Sequence, residues 1–336
     1  MRLTLLIILL LTMLPVSAEG IVGKTITDTD VSEVLQRLDR EIGRSHIYIR
    51  QRRDRIDSLR RELARHDGTD TLSLGLYLRL GDDYNAFNTD SALWCYECGL
   101  SGARAIGSDS IGLRFACRKA TVLPLLLFFA KSDNLLDSIA SCDVPRGLLA
   151  ERYDAERQSQ FYIANFFTYY PTVYDSIIAR VNTAQSLMLH HLPEGSYLYK
   201  LMVAEHLFQR FDYAKSANVL ADIIQTLPDD NPIYARACHL AADIAKQQGN
   251  VRAQVYYLAL SSISDIRCAT LEVTSLQELG RLLYDLSDIE RAHDYLSIAL
   301  RNAVNCHALL RIIQTYQSIP LIEEAHQMPL VTQNMH

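Results

Sequence analysis

Few residues in this 336-residue chain carry reactive side chains at spacings that chemistry requires. Cys95 and Cys98 lie three apart, a spacing at which two thiols can ligate a metal or exchange a disulfide. A structural zinc site needs two further ligands at short range, and the nearby candidates stand alone. Cys117, Cys238 and Cys306 fall inside apolar helical stretches, where a free thiol packs as a small hydrophobe, and the total of seven is odd. His190 and His191 are adjacent, so on a helix they point about 100° apart, a poor start for a shared ligand. The Leu-Pro-Glu-Gly that follows them marks a helix end. His239 and Asp243, four apart, share one helix face, a pattern more often structural than catalytic. The chain has no glycine-rich phosphate loop, no HExxH helix and no Gly-x-Ser-x-Gly elbow. The expectation is a non-enzyme with no cofactor, no catalytic residues and no metal.

Seven arginines (Arg50, Arg52, Arg53, Arg55, Arg60, Arg61 and Arg65) crowd one segment, which in isolation suits nucleic acid. Asp54, Asp57 and Glu62 are interleaved among them, so a solvated face with i,i+4 pairs is the expectation. A formal charge of −6 gives no general attraction to nucleic acid or anionic lipid. Binding by this part of the chain is expected to involve a protein or peptide, or a small glycan-type ligand. Eighteen tyrosines supply rings with a hydrogen-bonding tip, several of them clustered between Phe161 and Tyr174.

The elements that would position such contacts repeat. Asp212, Asn250 and Asp288 lie thirty-eight residues apart. Ala204, Ala242 and Gly280 stand eight before them, and Leu220, Leu258 and Leu296 eight after. Small residues where two helices meet, at a fixed period of this size, mark stacked helical hairpins. With only fourteen glycines and nine prolines the chain has few turn formers, so the class is all-α.

Asp30 is expected to cap a helix from about Val31 to Arg65, whose heptad seam is interrupted by Ser45 and Arg52. That seam is expected to pack on the first hairpin or on a second copy of the chain, giving a homodimer through residues 31–65. Pro124 is expected to end or kink a helix, and Asn231-Pro232 to start one. Arg2, the apolar run Leu3–Leu14 and Val16-Ser17-Ala18 read as an export signal cut after Ala18. The expected organisation is a signal peptide at 1–18, a linker at 19–29, a long amphipathic helix at 30–66, a solenoid at 67–327 and a polar tail at 328–336.

Tyr77, Leu80-Gly81, Tyr84 and Ala92 resemble the tetratricopeptide repeat, as do Leu279-Gly280, Leu283, Ala292 and Leu296. The repeat implies a right-handed superhelix of about seven hairpins, packed through Leu80, Gly81, Ala204, Ala242, Leu279, Gly280, Ala292 and Leu296. The first helix of each pair lines the concave side. Ligand contacts are accordingly expected from Tyr162, Asn165, Tyr199, Lys200 and Glu205. Asp265 and Arg267 form part of a polar run that suits either a polar ligand or a link between hairpins.

The C-terminal stretch resembles something more particular. Tyr257–Ser261, Asp265, Arg267, Thr270, Leu276–Leu279, Asp288–Tyr295, Leu309-Leu-Arg311 and Ile319-Pro320 are similar to the sensor region of a family of membrane-bound transcriptional regulators. That family occurs in Gram-negative gut bacteria, and the resemblance runs from about residue 35 to residue 327. It implies a periplasmic repeat array, then one transmembrane helix, a coiled coil and a cytoplasmic DNA-binding end. The present sequence reaches His336 without such a span, so the expectation is a periplasmic sensor truncated before the membrane helix. The DNA-binding role does not carry over. The competing expectation is a structural adaptor in an envelope complex.

Overall fold

The computed structural model describes residues 25–317, apart from 67, 69, 272 and 273. The signal-peptide reading and the polar tail lie outside these residues. Among the described residues there are fourteen α-helices. A long helix α1 (Asp28–Leu63) is followed by six antiparallel hairpins and one further helix. The hairpins are α2 (Thr71–Tyr84) with α3 (Thr89–Ala105), α4 (Asp109–Val122) with α5 (Phe129–Ala140), α6 (Leu149–Phe166) with α7 (Pro171–Leu189), α8 (Tyr197–Gln209) with α9 (Tyr213–Thr226), α10 (Pro232–Gln247) with α11 (Val251–Arg267), and α12 (Ser275–Asp285) with α13 (Ile289–Cys306). The last helix is α14 (Leu309–Tyr316). The chain is an all-α solenoid of the tetratricopeptide kind. No helix among the described residues is long and apolar enough to cross a membrane.

The thirty-eight-residue period has a local cause. Asp212, Asn250 and Asp288 are the N-caps of α9, α11 and α13, each accepting from the backbone N–H three residues on. Such a cap satisfies one of the orphan amides that open a helix. The residue before each cap is left-handed: Phe211 at φ +61°, Gly249 at +69° and Ser287 at +67°. One tight turn thus recurs three times, and only its middle copy uses the glycine that this backbone favours. The hairpins close on small residues. Ala204, Ala242 and Gly280 are buried, as are Leu220, Leu258 and Leu296 opposite them. A Cβ placed on Gly280 would come within 2.8 Å of Leu296 Cγ, and one on Gly81 within 2.3 Å of the Tyr96 ring. Leu80, Leu279 and Ala292 are also buried.

Pro124 ends α4 in a single 3-10 turn, Leu123–Leu126, closed by Leu127 at φ +64°. Leu125 and Leu126 are buried, and α14 packs against this turn from the far end of the chain. Asn231 caps α10 with Pro232 in its first turn.

Helix α1 departs from expectation at both ends. Its cap is Thr27, and Asp30 is the third helical residue of a capping box, accepting from the Thr27 N–H at 2.9 Å. It stops at Leu63, short of Arg65. The seam is spent within the chain. Val34, Leu35 and Leu38 join one apolar cluster with residues of α8 to α13. Ile56 and Leu59 join another with Leu76, Leu80, Phe87 and Cys95 of the first hairpin, together with Leu271 and Cys306. The second half of α1 therefore packs on the first hairpin as expected. The first half covers the C-terminal hairpins, which the heptad spacing had no means to reveal.

With α1 as a strap, the two ends of the array meet. The Leu271 N–H donates to the Ala86 carbonyl at 2.7 Å, and His307 Nδ1 lies 2.6 Å from Asp90. Arg52, the apparent interruption of the seam, donates to the carbonyls of Asp83, Asn85, Cys268 and Ala269. The arginine run is thus partly structural, since Arg55 also forms a forked pair with Asp83.

Candidate functional site

Residues expected on the ligand surface fall in three places. On α6, Tyr162 lies under the Arg311 guanidinium, 5.3 Å from ring centroid to Cζ, and the Asn165 carbonyl accepts from Gln314 Nε2 at 3.3 Å. Glu205 on α8 sits between Arg236 at 3.0 Å and Arg157 at 3.7 Å. Tyr162, Asn165 and Glu205 thus belong to a row of first helices, and α14 reaches the first two of them from the far end of the chain. Tyr199 is in the first turn of α8, its N–H donating to the Ser196 cap at 3.2 Å. Lys200 turns to Asp222 of α9 at 2.6 Å and lies over the Tyr197 ring. Asp265 and Arg267 are elsewhere, at the end of α11 beneath α1. Arg267 donates to Glu41 at 3.0 Å and to Asp229 at 2.5 Å.

The row of first helices carries alternating charge. Arg118 of α4 pairs with Asp82 of α2 at 3.0 Å, and Arg157 pairs with Asp154 at 2.8 Å before reaching Glu205. Burial alone would raise the Asp154 carboxyl, but Arg157 and Arg236, with hydrogen bonds from Arg157 and Gln158, hold it below its ordinary range. A cavity of about 250 Å³ opens here, lined by Asp82, Asn85, Arg118, Thr121, Asp154, Ala155 and Gln158. Its charges already satisfy one another, so a ligand entering would have to displace existing pairs.

A larger cavity, about 540 Å³, lies where the end of α1 meets the first hairpin. Arg60, Leu63 and Ala64 form one wall, Tyr77, Leu80 and Tyr84 of α2 a second, and Ser91 and Trp94 of α3 the third. Tyr77, Leu80 and Tyr84 recur at helical spacing, which puts them on one face. Tyr77 and Trp94 meet edge to face with ring centroids 6.0 Å apart. Trp94 is 54% exposed, although Ala92, Cys95 and Tyr96 beside it are fully buried. Burial raises the hydroxyls of Tyr77 and Tyr84 above the usual tyrosine value, so both remain neutral donors at physiological pH. Aromatic faces ringed by a guanidinium and hydroxyls are the composition of a small-ligand site: apolar walls with a few placed polar groups.

None of these eight lining residues was expected as a ligand contact, although Leu80, Tyr77 and Tyr84 carry the repeat pattern. The signal available was Trp94, the one tryptophan in the chain, two positions from the buried Ala92 and therefore off the packed face.

Cys95, His190 and His191 are held by packing and hydrogen bonds. All seven cysteines are free thiols. Cys95 is fully buried, and burial pushes its thiol up to about 12, far from the thiolate that metal or disulfide chemistry uses. At the end of α7, His190 Nδ1 lies 2.7 Å from the Ser186 carbonyl, and His191 stacks on Tyr153.

No curated protein matches this chain. A family model described as the SusR N-terminal TPR domain matches residues 42–317, from within α1 to just past α14. That span takes in the later part of the strap, all six hairpins and both cavities, and tetratricopeptide domains act as interaction and sensing modules. The chain belongs to the family of SusR N-terminal TPR domains.

Proposed function

We propose that this chain is the sensing part of an exported, SusR-like regulator and that it binds a glycan-type ligand in the Trp94 cavity, without catalysis. The observation that carries the reading is the cavity itself. Two aromatic rings set edge to face, a second tyrosine, Arg60 and Ser91 converge on a space of about 540 Å³. A sugar ring stacks its C–H face on an aromatic ring and pairs its hydroxyls with such donors. The place also matters. Arg60 and Leu63 belong to the strap, so a ligand there touches both α1 and the first hairpin and favours whichever arrangement of the two it fits better. The export reading rests on the apolar run at residues 3–14 and puts the module in the periplasm.

A thermal-shift screen of the chain without residues 1–18 against neutral oligosaccharides tests this, because a ligand bound only by the folded state raises the melting temperature by mass action. A shift with one glycan class, lost in Trp94→Ala, is the expected result. No shift with any sugar, together with a stable protein partner in a pull-down, sinks it.

The adaptor reading has its own observation. Phe128, Phe161, Phe166, Tyr169 and Tyr170 are all exposed around the ends of α5 to α7, and such a patch suits a protein partner. Failure of the sugar screen would favour it.

A further inference from the structure

His239 and Asp243 lie one turn apart on α10, and the fold brings Glu278 of α12 to them. His239 Nε2 is 3.6 Å from Glu278 Oε2, and the ligating atoms of all three residues lie within 4.8 Å of one another. The imidazole is oriented from behind. The Ser261 hydroxyl donates its one hydrogen to the Ala235 carbonyl at 2.9 Å. Its contact with Ser275 Oγ, 2.7 Å, must then be donated by Ser275. Ser275 in turn can only accept from His239 Nδ1, 3.1 Å away. The hydroxyl relay therefore puts a proton on Nδ1 and turns Nε2 toward the two carboxylates.

The imidazole Nε2 and two carboxylates converge on one point, where either a proton on Nε2 or a metal ion can lie between them. We infer that His239, Asp243 and Glu278 form a site for one first-row divalent cation, with zinc as the ion that a neutral imidazole and two carboxylates suit well. The Ser275–Ser261 relay holds the histidine as the second ligand layer does in metal proteins. Asp243 and His239 are partly buried and Glu278 is exposed, so two donors are set by the helix and the third closes by side-chain rotation. The ion would tie α10 to α12, the first helices of consecutive hairpins.

The test is calorimetric titration of chelator-stripped protein with zinc chloride, repeated on Glu278→Gln and Ser275→Ala. Glu278 is exposed and its amide keeps its shape, so the first variant reports binding more than folding. One equivalent is expected, weakened roughly tenfold or more in Glu278→Gln and roughly tenfold in Ser275→Ala. Cobalt loaded in place of zinc should show visible ligand-field bands without thiolate charge transfer, which separates this site from the seven cysteines. Absence of a tight equivalent, unchanged affinity in Glu278→Gln, or a thiolate band would each overturn the assignment.

Discussion

Arg52 Nη1 donates to the Cys268 carbonyl at 2.9 Å, joining residues 216 apart in sequence. The same guanidinium reaches Ala269, Asn85 and Asp83, and lies 5.5 Å from the Phe87 ring. One planar fork thus holds the first hairpin to the turn after α11. Lysine cannot reproduce it, because an ammonium lacks the rigid, divergent donors. Arg52→Lys is expected to cost about 2 kcal/mol in denaturant unfolding, since carbonyls lose charged partners. Amide exchange should quicken at Leu271, whose N–H closes the same junction on Ala86. Unchanged Leu271 exchange would show that the junction does not depend on Arg52.

Glu41 is a buried acid on α1, taking the Tyr48 hydroxyl at 2.7 Å and Arg267 at 3.0 Å. Burial pushes its carboxyl up, but these two hydrogen bonds, with the positive charges of Arg267 and Arg44, outweigh it and hold the group below its ordinary value of 4.5. A carboxyl lowered by folding stabilises the protein above its unfolded value, and that contribution fades as pH falls through the folded value. Stability should therefore drop below about pH 4.5, and Glu41→Gln should flatten that part of the profile. Denaturant midpoints measured between pH 3 and pH 7 check this. An identical slope in the variant would mean that other acids, Asp154 among them, carry the acid sensitivity.

Gly81 faces the Tyr96 ring, which is fully buried and donates its hydroxyl to Asp82 at 2.9 Å. A methyl group there would sit 2.3 Å from Cε1, so the buried ring would have to shift. Gly81→Ala should destabilise the chain by about 1–3 kcal/mol, the usual range for overpacking. Alanine at Gly75, whose Cβ would meet nothing within 4 Å, is the matched control and should be neutral or better. Equal effects at the two positions would contradict the crossing geometry.

Trp94 should carry ligand affinity without carrying the fold. Trp94→Ala is expected to abolish a sugar-induced thermal shift while moving the melting temperature of the free protein little, because half of the indole is already exposed. A ligand shift that survives Trp94→Ala would move the site to the charged row near Asp154.

The sequence carried the local information well. Asp212, Asn250 and Asp288 are short polar caps after left-handed residues, and Ala204, Ala242 and Gly280 are small because helices cross there. Both are decided within one hairpin, so their spacing shows in the chain. The closure of the array is decided by residues more than two hundred positions apart. Arg52 looked like a break in an apolar seam, and Glu41 carries no local mark of its burial. Nothing local distinguishes an arginine that will meet four carbonyls from one that will meet water. The expected ligand residues followed the general rule that first helices line the groove, which placed Glu205 and Tyr162 in a charged row. The aromatic cavity escaped that rule because α1 supplies one of its walls, and no repeat pattern predicts where a preceding helix will dock.

The most direct measurement uses the chain's single tryptophan. Intrinsic fluorescence titrated with the oligosaccharide that gives the largest thermal shift reports on Trp94 alone. A saturable change in emission, with a midpoint matching the concentration dependence of the thermal shift, is the result predicted. A thermal shift with unchanged Trp94 emission would place the ligand elsewhere and contradict the assignment of this cavity as the sensing site.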